Sequence, residues 1–146
     1  MTEPFIRRYE ADDRDDLAYV CLLTGDSGTD ARGLHRDDSI VADVFCLPYL
    51  DFAPELAFVI DDGTGTAVGY IIGVADTDAF YRWFAESWWP PLAARYPVST
   101  PPADTQDRWV LDASGTRTNE QPEYPAHLHI DMLPAAQGRG FGRALI

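Results

Sequence analysis

Hydrophobic and polar positions change period several times along this chain, and each change predicts an element. "FIRRYE", Phe5 to Glu10, reads as a short first strand. In "DDRDDLAYVCLL" the residues Leu17, Val20, Cys21 and Leu23 share one helical face. Asp12 or Asp13 is the expected N-cap, acids fill the first turn, and Gly25 is expected to stop the helix. "TGDSGTDARG" is then a polar, glycine-broken loop without expected core residues, either a solvated connection or a substrate-contacting lid. "DDSIVADVFCLPYLDF" predicts a second short helix, capped near Asp37 or Asp38 and ended by Pro48.

The clearest hairpin is "LAFVIDDGTGTAVGYIIGVA", with strands Leu56 to Ile60 and Val68 to Val74 around an Asp62-Gly63 turn with Gly65. "DTDAFYRWFAESWWPPLAARYP" predicts an aromatic helix capped around Asp76 to Asp78, broken at Pro90-Pro91 and ended by Pro97. Its aromatics are expected in the core, with substrate stacking by Trp88 or Trp89 as the minority expectation. From Ser99 to Pro125 the pattern weakens, and "RWVLD" is expected as a short strand in a long excursion. In "AHLHIDML" the period is two: Leu128, Ile130 and Met132 point one way, His127, His129 and Asp131 the other. Pro134 ends that strand, and "QGRGFG" leads into the helix-like tail "RALI".

No repeat or composition shift divides the 146 residues, so one domain, 1–146, is expected. The net charge of -13 argues against a nucleic-acid partner. It is compatible with a cationic substrate, and equally with simple solubility. No segment has the apolar length of a membrane span or a signal-peptide core, so a cytoplasmic, non-membrane protein is expected. All eleven Lys/Arg residues are arginine, which excludes Schiff-base chemistry and a P-loop lysine. Cys21 and Cys46 lack C-x-x-C spacing and are expected as reduced core residues.

A strand feeding a glycine loop at a helix N-terminus brings backbone N–H groups together on an anion. The loop is neither a P-loop nor G-x-G-x-x-G, because Arg143 stands where the last glycine would be. Instead "IDMLPAAQGRGFG" resembles the acyl-CoA motif of the GNAT N-acetyltransferase superfamily, V-x-P-x-x-[QR]-x-x-G-x-[GA]. "AFVIDDGTGTAVGYIIG", "WWPPLAARYP" and "HLHIDMLP" more narrowly resemble a bacterial branch related to the acetyltransferase-like domain of O-GlcNAcases.

The resemblance implies an α/β (α+β) fold with a mixed, mostly antiparallel sheet flanked by helices on both faces. It implies acetyl-CoA as co-substrate, no metal, and transfer of the acetyl group directly to a primary amine of a small molecule or peptide. Backbone groups of Ile130 to Leu133 would pair with the pantetheine arm, the Met132 N–H facing the thioester carbonyl. Gln137, Gly138, Arg139, Gly140, Phe141, Gly142 and Arg143 would wrap the pyrophosphate. Complete family members continue past the position of Ile146 through further strands that form the other cofactor wall. A truncated sequence or gene fragment is therefore expected, with completion by a partner chain or swapped homodimer as another route.

The polar row His127, His129 and Asp131 supplies the candidate base, a histidine oriented by Asp131. A satisfied polar network without proton transfer is the equal alternative. Family members commonly place a base upstream on this strand, where this chain has Glu123 and Tyr124, then Ala126 and Leu128. A β-bulge there would break the parity of the row. Metal binding by His127 and His129 lacks convincing further ligands. The functional alternatives are a catalytically silent acyl-CoA- or protein-binding GNAT-like domain, and an unrelated α/β binding domain.

Overall fold

The structure, a computed structural model, describes residues 2–99, 101–115 and 117–146, apart from the side chains of residues 106, 109, 113 and 114. It is a mixed α+β fold built on a four-stranded antiparallel sheet in the order β1-β2-β3-β4. The strands are β1 (Phe5–Arg8), β2 (Phe58–Asp61), β3 (Ala67–Val74) and β4 (His127–Met132). The helices are α1 (Arg14–Leu23), α2 (Ser39–Phe45), α3 (Leu47–Phe52), α4 (Thr77–Trp83), α5 (Thr105–Ser114) and α6 (Phe141–Leu145).

Several local expectations are corrected. Pro48 does not end a helix: α2 stops at Cys46, and Pro48 sits in the first turn of α3, where a missing N–H costs nothing. Thr24, not Gly25, closes α1, its hydroxyl donating to the Val20 carbonyl at 2.8 Å. The loop after α1 does contribute to the core, because Ala31 is fully buried and its N–H returns to the Leu22 carbonyl at 3.0 Å. "RWVLD" lies in helix α5 rather than a strand. Asp104 caps that helix from the Asp107 N–H, and the inward residues Asp107 and Val110 are three apart, a helical spacing.

The core forms where α1, α2 and α3 meet the Tyr70, Ile72 and Val74 face of β3. Phe80 of α4 stacks on Tyr49 of α3 at 4.4 Å between centroids. After α4 the chain widens into a single π turn, Phe84–Trp88, before Pro90. Trp89 stacks between Phe84 and Tyr96, and the Trp88 indole donates to the Asp43 carbonyl, so both tryptophans serve packing. Near β1, Arg7 bridges the buried carboxylates of Asp13 and Asp61 at 2.7 and 2.9 Å.

The pairing of β3 with β4 runs from Gly69↔Met132 to Val74↔His127 without a register shift. No bulge interrupts β4, and the parity of its polar row holds. Gly73 permits this close approach: a Cβ there would stand 2.7 Å from the His127 carbonyl oxygen. Among the described residues no strand pairs with the outer edge of β4.

Candidate functional site

His127, His129 and Asp131 share the face of β4 that looks onto α3 and α4, as their period of two requires. The Tyr49 hydroxyl lies 2.8 Å from His127 Nε2 and 3.1 Å from His129 Nε2. On its other side His127 Nδ1 meets the Thr77 hydroxyl at 2.7 Å. One hydroxyl carries one proton, so Tyr49 donates to one imidazole and accepts from the other. Thr77, His127, Tyr49 and His129 thus form a continuous chain along which protons can shift in concert.

Burial sets the charge of this chain. It pushes His127 down from 6.5 to about 4, helped by His129 and Arg117. His129 is lowered by burial too, against the opposing pull of Asp131. Tyr49 is raised from its ordinary value by burial and stays protonated. Both histidines are therefore neutral at physiological pH. Asp131 does not orient a histidine by hydrogen bonding: its carboxylate accepts from the Tyr70 hydroxyl at 2.8 Å. Its influence on His129 is purely through charge.

His127 opens onto a cavity of about 660 Å³, whose lining includes Thr77, Tyr81, Arg117, Tyr124 and Ala126. Tyr124 is largely exposed on its rim, and Glu123 is exposed beside it. Sequence reasoning missed Tyr49, Thr77, Tyr81 and Arg117. A tyrosine inside the apolar run "LPYLDF" was a usable signal, because a buried hydroxyl needs a partner. Arg117 lies in a stretch without pattern and gave none.

At the other end of β4 the Leu133 N–H donates to the Val68 carbonyl at 2.9 Å. Backbone groups of an antiparallel strand alternate in direction, so those of Ile130 and Met132 face the open outer edge. Of the Ile130 to Leu133 backbone groups expected to pair with pantetheine, the Leu133 N–H is already used inside the sheet. Gln137 also departs from expectation, since its side-chain amide donates to the Met132 carbonyl and its N–H to the Pro134 carbonyl. It therefore braces the strand end. Gly138 and Gly140 have φ of 72° and 84°, the left-handed region that favours glycine, and open space surrounds both. Arg139 is exposed on this loop, Phe141 and Gly142 begin α6, and Arg143 is exposed in the first turn of that helix.

The thiols of Cys21 and Cys46 are both buried, and Cys46 is pushed well up by its hydrogen bond with Cys21 and by burial. Cys46 is therefore a neutral core thiol. Among the described residues, no group of three or more His, Cys, Asp or Glu could hold a metal ion. Among them too, no helix is long and apolar enough to cross a membrane.

These features define a GNAT-like domain, with a polar strand face at one end of β4 and a left-handed glycine loop at the other. No protein-family profile matches the chain. A solved structure described as the crystal structure of SsHAT superposes with a TM-score of 0.89 at 42% sequence identity, covering 98% of this chain and 73% of that chain. The chain belongs to the same family as SsHAT, that of GNAT-like acetyltransferase domains.

Proposed function

We propose that this chain binds acetyl-CoA and moves the acetyl group directly to a primary amine of a small molecule or peptide. One observation carries the reading. The outward backbone groups of Ile130 and Met132, on an open strand edge, run straight into the Gly138–Gly140 loop. An extended pantetheine arm carries amides that can pair with such an edge as a strand would. The N–H groups of Gly138 to Gly140 and of Phe141, Gly142 and Arg143 in the first turn of α6 suit a pyrophosphate, with Arg139 and Arg143 adding charge. Leu133 retains only its carbonyl for a ligand, and Gln137 serves by holding the Met132 carbonyl.

In transfer, the amine nitrogen attacks the thioester carbonyl, the C–N bond forms, the C–S bond breaks and the CoA thiolate leaves. The Met132 N–H would donate to the developing oxyanion. His127 is the base at the cavity wall. Its neutral imidazole accepts the amine proton, directly or through water, and the Tyr49 bridge shares that proton with His129. Asp131 supplies a negative charge near His129 that favours the protonated relay.

A second reading, a domain that binds acyl-CoA or protein without transferring, has its own support. Both ring nitrogens of His127 are engaged, by Tyr49 and Thr77, and a pKa near 4 makes it a weak base. The test is calorimetric titration with acetyl-CoA beside Gly140→Glu, followed by product analysis on an amine panel. Saturable binding lost in the variant, with acetylated product from the wild type, supports transfer. Binding without product supports the silent reading, and no binding sinks both acyl-CoA readings.

A further inference from the structure

Proton removal uses only the histidine wall of the 660 Å³ cavity; the rest of its lining includes Arg117, Tyr81, Glu120 and Tyr124. The guanidinium carbon of Arg117 lies 4.4 Å from the Tyr81 ring centroid and 5.1 Å from that of Phe84. Ring contacts of this kind are made through the positive charge and take up none of the guanidinium's N–H donors in ion pairs. The ion pairs among the described residues engage Arg7, Arg14, Arg32, Arg36 and Arg95, and not Arg117. Unlike Arg8 and Arg139, which also lie over aromatic rings, Arg117 does so in the lining of the cavity that holds His127. The charge of Arg117 also reaches the base, since it helps to lower both His127 and His129.

We propose that the acceptor is a small zwitterion, an amine whose own molecule carries a carboxylate, with that carboxylate bound by the Arg117 fork and the amine turned toward His127. The inference rests on the acetyl-transfer reading above and names its substrate class. A carboxylate matches a guanidinium better than any uncharged group does, because it accepts two parallel N–H bonds. Exposed Glu120 puts the opposite charge on the same rim, where an incoming ammonium is attracted. The volume falls in the range of about 300–1,000 Å³ typical of small-molecule pockets.

The experiment uses the full 146-residue chain with acetyl-CoA and a panel of L-amino acids, each beside its own carboxamide. Acetylated product is quantified by mass spectrometry, and acetyl-CoA binding is measured separately by calorimetry. For the preferred side chain, kcat/KM for the amino acid is expected to exceed that for the amide by about 10- to 100-fold. In Arg117→Gln that ratio should fall toward one, while Arg117→Lys, which keeps charge without the fork, should retain part of it. Thermal unfolding of both variants checks that they are folded. Equal kcat/KM for acid and amide in the wild type overturns the inference, as does a ratio unchanged in folded Arg117→Gln. Acetyl-CoA binding with no product from any panel member overturns it too, and leaves cofactor binding standing. Absence of saturable acetyl-CoA binding overturns the transferase reading itself.

Discussion

Acidification from about pH 7 to pH 4.5 is expected to weaken the fold through the β4 histidines before it reaches the paired carboxylates. His127 titrates near 6.5 when exposed and at about 4 in the fold, chiefly because burial penalises its charged form. Between those values the unfolded chain holds more protons than the folded one. The His127 contribution is therefore complete above pH 6.5 and is lost as the pH falls toward 4. A difference of that size corresponds to about 3 kcal/mol. His127 is only half-buried, and solvent screening reduces the expected effect to about 1–2 kcal/mol. His129 is displaced in the same direction and adds to it. The assay is urea denaturation at a series of pH values, with His127→Gln as the reference protein. Asp13 is held below the usual carboxylate range by Arg7. Asp61 is held low by Arg7 and the Gly63 and Gly65 N–H groups, which outweigh its burial. Both lose their contribution at lower pH, in wild type and variant alike, and cancel in the comparison. The stability difference between the two proteins should shrink by about 1–2 kcal/mol from pH 7 to 4.5. A difference constant across that range would refute the reasoning.

Three substitutions probe the rest of the framework. Arg7→Ala strands two buried carboxylates, Asp13 and Asp61, and should cost about 3–5 kcal/mol in urea unfolding. Its stability should also depend less on pH below the carboxylate range, because the guanidinium no longer helps to hold those two groups low. Tyr49→Phe removes the hydroxyl between the histidines and should cost about 1–3 kcal/mol, seen as a fall of the thermal midpoint. Gly73→Ala presses a Cβ against the His127 carbonyl oxygen, a backbone atom, and should cost about 1–3 kcal/mol by the same measurement.

Much of the fold was legible because it is written in local periods. The hairpin around Asp62 and Gly63, the amphipathic α1 and the period of two along β4 all appear where the pattern predicts them. Errors fell where local signals compete. Pro48 serves a helix start as well as an end, and the helix at Thr105–Ser114 has an Asp104 cap and, among its described side chains, buried Asp107 and Val110. The Leu133 N–H and the Gln137 side-chain amide are taken by the Val68 and Met132 carbonyls, contacts that no local period announces.

The sequence alone determined the central hairpin, the shared face of His127, His129 and Asp131, and the glycine loop after Pro134, because spacing and backbone freedom are properties of neighbouring residues. Tertiary structure alone decided what those groups touch. Tyr49 reaches His127 across 78 positions of chain and Tyr70 reaches Asp131 across 61. Arg117 comes to rest on Tyr81 only when the unpatterned stretch folds back on α4. Such contacts depend on strand register and helix packing, which no local period encodes. With them came the neutral histidines, the shared hydroxyl and the cleft, and therefore the chemistry the site can perform.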